Sequence, residues 1–156
     1  MLTNAQLLTL RAAAISNATA AAYIAAADDQ GLADWFNVDQ TAYIVWRTSL
    51  TPDQARSAIV QGATQLDALT TGKRDSLFWL LSEPVRPTDA AVRLAIDDLC
   101  GTQATLKSAL QSALRRTATR AEKLLATGTG TTGNPATLAY EGYLSAAEAS
   151  GVRVAQ

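Results

Sequence analysis

Between Leu106 and Leu125 apolar residues recur every three or four positions: Leu106, Leu110, Ala113, Leu114, Ala121, Leu124 and Leu125. That spacing predicts one amphipathic helix over 103–126, capped by Thr102 and about 35 Å long at 1.5 Å per residue. The same period marks earlier helices. Thr3 or Asn4 opens one through Ile15, with Leu7, Leu8, Leu10 and Ile15 available for burial. Ser16-Asn17 breaks it, and an Ala-rich helix follows to Ala27. Asp28-Asp29-Gln30-Gly31 reads as a turn before a short helix over 32–37 that buries Trp35 and Phe36.

Thr51-Pro52-Asp53-Gln54 is the sharpest helix start, with a capping Thr, Pro in the first turn and Gln54 closing a capping box. That helix runs to about Val60 and frays at Gly62. Another, over 71–81, buries Leu77, Phe78, Leu80 and Leu81 before Pro84 and Pro87. Thr88 caps a helix over 89–99 that stops at Gly101. Tyr43-Ile44-Val45-Trp46 has strand chemistry but no evident partner, so it reads as an extended connector. The expected fold is mainly α: a small helical bundle over 1–127 with one long C-terminal helix as its spine. Residues 128–156 form a Gly/Thr-rich linker and an extended, partly irregular tail, dispensable for folding and free to engage neighbours.

Composition agrees with close-packed helices. The chain has 156 residues, fitting one domain, and is 48% apolar, much of it Ala. The net charge of −1 points to no nucleic acid or membrane, and no stretch has the length of a membrane span. The Ala-rich run near residue 20 lacks the positive start of a signal peptide. Charge is nevertheless polarised. Residues 1–72 hold six Asp against three Arg, whereas 103–126 hold Lys107, Arg115, Arg116, Arg120 and Lys123 against Glu122 alone. On one helix Arg116, Arg120 and Lys123 would project together, away from the apolar stripe. They are candidate partner contacts with Arg115, as are the tail aromatics Tyr140 and Tyr143; a merely solvated basic face is the plain alternative.

Catalytic chemistry has little to build on. The absence of histidine excludes Ser-His and Cys-His nucleophiles and His metal ligation. The single Cys100 excludes an internal disulfide. Gly128-Thr129-Gly130-Thr131-Thr132-Gly133 matches G-x-G-x-x-G, but follows a helix and precedes Asn134-Pro135, the wrong context for a dinucleotide fold. Gly72-Lys73 fails the phosphate-loop pattern, because Asp67 and Arg74 stand where Gly and Ser/Thr are needed. Asp97 and Asp98 point about 100° apart on a helix and do not share a metal. Trp35, Trp46 and Trp79 read as core or interface anchors rather than a base-stacking platform. No enzyme, metal or cofactor is expected.

Residues 115–130 (RRTATRAEKLLATGTG) and 134–145 (NPATLAYEGYLS) resemble recurring blocks in small structural proteins of tailed bacteriophages. Met1-Leu2-Thr3 with Gln6-Leu7, Val45-Trp46-Arg47-Thr48 and Leu69-Thr70-Thr71-Gly72-Lys73 fit the same pattern. The resemblance implies a head–tail connector, or adaptor, of the neck. Such a virion protein is assembled in the host cytoplasm as a ring of about twelve copies. It docks on the portal protein, meets a tail or stopper protein, and lets genomic DNA pass without reading its sequence. Other readings are a stopper, tail-completion or decoration protein, or a small helical regulator holding nucleic acid through Arg115, Arg116 and Arg120.

Overall fold

The computed structural model describes residues 1–156 and is mainly helical, with ten helices and one two-stranded sheet. The chain forms two compact units. Unit 1 joins 1–45 to 117–156, and unit 2 is the stretch 46–116 between them. These boundaries fall at 45/46 and 116/117, not at 127/128.

Unit 1 begins with α1 (Asn4–Ile15), α2 (Ala18–Ala26) and α3 (Asp29–Phe36). Each starts on a side-chain cap: Thr3 with Gln6 in a capping box, Asn17, then Asp28. β1 (Asp39–Trp46) follows. Unit 1 resumes with β2 (Arg115–Thr119), α9 (Arg120–Leu125), an irregular strap over 126–145 and α10 (Ala146–Val154). Its main core gathers Leu10, Ala14, Leu32, Phe36, Ala121, Leu144, Ala149 and Val152. The strap and α10 therefore supply core residues. The segment after Gly128, expected to be dispensable for folding, thus packs into the core of unit 1.

Unit 2 holds α4 (Pro52–Gln61), α5 (Ala63–Leu66), α6 (Thr71–Leu80), α7 (Ala90–Cys100) and α8 (Ala104–Ala113). Thr51 and Gln54 form the expected capping box, with Pro52 in the first turn. Asp89 rather than Thr88 caps α7, and Gly101 ends it at φ +55°. Leu77, Ile96, Cys100, Leu106, Leu110 and Leu114 form the centre of a separate core. Phe78, expected inside, is 44% exposed. It follows Leu77 by about 100° of helix rotation, and Leu77 takes the buried side.

The single long helix over 103–126 does not form. α8 ends at Ala113, the chain runs extended as β2, and α9 starts afresh. The apolar stripe is real but serves two cores: Leu106, Leu110 and Leu114 belong to unit 2, Ala121, Leu124 and Leu125 to unit 1. Burying a Leu is worth about 1.5–3 kcal/mol, far above the few tenths by which most residues differ in helix propensity. Burial therefore decides the break. Local chemistry assists it: Thr117 and Thr119 favour extension, and Thr119 with Glu122 forms a capping box that starts α9.

β1 also has partners, contrary to the connector reading. It pairs with β2, the bordering bonds running from Arg120 N–H to Val38 O and from Arg47 N–H to Leu114 O, both 2.9 Å. On the strap side, Ile44 N–H donates to Gly130 O at 2.7 Å and Ala136 N–H to Ile44 O at 2.9 Å. Val45, Ala118 and Ala136 bury the small cluster between them.

Candidate interaction surfaces

The six residues expected to meet partners do not share one helix face. Arg115 and Arg116 lie in β2 and fall in unit 2, whereas Arg120 and Lys123 lie in α9 of unit 1. The i, i+4 argument that grouped Arg116 with Arg120 loses its premise, since Arg116 is extended. Arg115 Nε donates to Gln111 O at 2.9 Å, capping the end of α8.

Arg120 is engaged within unit 1. Its guanidinium lies 4.1 Å above the Trp35 ring, and Nη1 donates to Trp35 O at 2.5 Å. Burial holds its pKa below the usual arginine value. Lys123 stands 5.5 Å from the Tyr43 ring centre, beside a shallow hollow lined by Asp39, Gln40, Thr41 and Ala42.

The Gly/Thr-rich segment is bonded into the fold rather than hanging from it. Thr127 and Thr137 exchange two 2.9 Å backbone bonds, and Thr131 with Asn134 closes the tip. Tyr43 Oη donates to Gly128 O at 3.1 Å, and the Tyr43 ring lies against Gly130, whose φ of +67° suits glycine. Further along, Gln6 Nε2 donates to Ala139 O at 3.0 Å. Asn37 clamps Leu144 twice, accepting from its N–H at 2.7 Å and donating to its carbonyl at 2.9 Å.

These ties separate the two tail tyrosines. Tyr140 packs half-buried against the core of its own unit, and burial beside Glu148 and Glu122 raises its pKa. Tyr143 is 69% exposed on a backbone fixed at Gly142 and Leu144. Of the two, only Tyr143 leaves most of its ring in water.

Unit 2 adds surface features: one at Trp79, read from sequence as a core or interface anchor, and others that the sequence did not single out. Trp79 is 78% exposed on α6, and Leu94 is 69% exposed on α7. Beside Leu94 the Arg93 guanidinium lies 4.5 Å over the ring of Trp46. The two residues are 47 positions apart, so no sequence window could pair them. Asp97 accepts from Gln111 Nε2 at 2.6 Å and faces Lys107 Nζ at 3.1 Å. Asp98 has Lys73 Nζ at 3.8 Å, and Lys73 also donates to the Asp98 carbonyl at 2.6 Å. No helix is long and apolar enough to cross a membrane. Comparison with family models, with characterised proteins and with solved structures finds no match for this chain.

Proposed function

We propose that this chain is a structural subunit of a tailed-phage virion, a head–tail connector (adaptor) whose copies form a ring between the portal and the next component of the neck. The observation that carries the reading is where the two resembling blocks lie. Apart from Arg115 and Arg116, which fall in unit 2, the blocks 115–130 and 134–145 lie together in unit 1, in the end of β2, α9 and the strap. That piece presents the exposed Tyr143 from a fixed backbone. Large apolar side chains left in water, Trp79 and Leu94 among them, suit a subunit that buries them on assembly.

A nucleic-acid regulator draws less support. Arg120 is stacked on Trp35 and bonded to its carbonyl, and Arg115 is bonded to Gln111 O. Each would have to leave a made contact to reach a phosphate.

The test is co-expression with the portal protein encoded in the same phage genome, followed by native mass measurement and particle imaging. The expected result is a ring of about twelve copies seated on the portal. Tailless, DNA-filled heads are expected when the gene is disrupted. Normal tailed particles without the chain would overturn the reading.

A further inference from the structure

Unit 2 carries a hollow of about 310 Å³ lined by Trp46, Ala90, Arg93, Leu94, Asp97 and Gln111. Arg93 is its charged element. Its guanidinium covers Trp46, and Nη1 is anchored on Pro87 O at 2.6 Å. No carboxylate lies within ion-pair distance of Arg93. The nearby Asp97 is occupied by Gln111 and Lys107. The hollow therefore offers an aromatic floor, an unneutralised cation and, in Leu94, an exposed apolar rim. Trp and Arg beside an apolar neighbour make the composition at which binding energy concentrates in protein interfaces.

The chain itself carries the complement. Residues 46–116 hold nine Lys/Arg against seven Asp/Glu, whereas unit 1 holds four against seven. Unit 1 also displays Tyr143, an exposed aromatic on a backbone tied by Glu122 and Asn37. Because that backbone is already fixed, seating the phenol orders little besides the side chain.

We propose that the Trp46–Arg93–Leu94 hollow of one copy receives Tyr143, and the acidic unit 1 that presents it, from a second copy of this chain. The proposal deepens the ring reading above and rests on it for the identity of the partner. The contact is heterologous, with knob and hollow on different surfaces. Each joined pair keeps one unused knob and one unused hollow, so addition continues until a ring closes.

Sedimentation velocity over a range of protein concentrations and salt tests it, using wild type, Leu94→Asp, Tyr143→Ser and an equimolar mixture of the two variants. Wild type should self-associate, less so as salt rises. Each variant alone should associate at least tenfold more weakly. The mixture should form one-to-one dimers and stop there, since one partner brings an intact hollow and the other an intact tyrosine. Circular dichroism checks folding; should either variant unfold, Leu94→Gln or Tyr143→Ala replaces it. Wild type that stays monomeric throughout, variants that associate like wild type, or a mixture without dimers would each overturn the proposal. So would loss of association in Trp79→Ser with Leu94→Asp unaffected, which would move the interface to α6. Particles that incorporate both variants normally would remove the hollow and leave the connector reading intact. Association through the hollow in a chain never found in particles would do the reverse.

Discussion

The carboxylate of Glu122 ties the strap to α9: Oε1 accepts the Gly142 N–H and Oε2 the Thr119 N–H, each at 2.9 Å. Glu122 is buried. One side chain thus caps a helix and holds the backbone beside Tyr143.

Glu122→Ala should lower stability by about 2–3 kcal/mol, because it leaves two backbone donors without their charged acceptor. Glu122→Gln should lose less, keeping one carbonyl acceptor of the same length. Urea denaturation measures both. A Glu122→Ala midpoint equal to wild type would show that the tie contributes nothing.

Leu144 is buried in the unit 1 core, so Leu144→Ala should cost about 2–5 kcal/mol. A chain cut after Thr127 also loses Ala149 and Val152 from that core. It should show reduced helicity and a broadened thermal transition. A truncated chain that melts sharply at the wild-type temperature would contradict the packing of the strap and α10.

Gly130 has φ +67°, and a Cβ there would collide with the Tyr43 ring. Gly130→Ala should therefore cost more than the roughly 1–2 kcal/mol of the left-handed backbone alone. Adding Tyr43→Ala should cost less than it does in the wild-type background, since the ring no longer collides. Strict additivity in the double-mutant cycle would place the ring elsewhere.

Asp29 and Arg153 form a two-point ion pair at 2.7 and 3.2 Å. The Arg153 hydrogen bonds hold the Asp29 pKa below its ordinary value, and the pair raises that of Arg153. The unfolded carboxylate titrates near ~3.9. The pair's contribution is present above that pH and fades as pH falls through the lower folded value. Asp29→Asn should lower stability near neutrality, leave it little changed at the most acid pH, and so flatten the acid limb of the stability curve. An unchanged acid limb would rule out the linkage.

Cys100 is fully buried, and burial, with the charge of Asp97 next, pushes its thiol pKa up. The native protein should resist thiol reagents at mildly alkaline pH and take up one equivalent on denaturation. Prompt labelling of folded protein would place the thiol at the surface.

Local signals were the legible part of this fold. Thr3, Asn17 and Thr51 cap helices through side chains that reach three residues or fewer along the chain, so short windows reveal them, whereas Asp28, which reads as part of a turn, caps α3. The 113–120 break was hidden for the opposite reason. The stripe from Leu106 to Leu125 keeps helical spacing across the break, while its two ends belong to cores that no window can distinguish. The Thr119–Glu122 capping box was the available signal, and the apparent continuity of the stripe masked it. The candidate surface divides similarly. Tyr140 and Tyr143 could be named together from the tail, but which of them stays exposed depends on how the strap packs, the Arg93–Trp46 stack depends on two distant segments meeting, and the exposure of Trp79 depends on which α6 face the core takes.

The split of unit 1 has a consequence for synthesis. Its first half, 1–45, leaves the ribosome before the whole of 46–116, and its second half comes last. At ~5–20 residues per second, Leu10, Leu32 and Phe36 wait roughly 5–28 s for Leu144 and Val152 to be made. Unit 2, continuous in sequence, can close its own core during that interval. The nascent chain thus passes through a period in which its inserted part is folded while the first-made segment still exposes apolar side chains, the state in which a chaperone would find the most to hold.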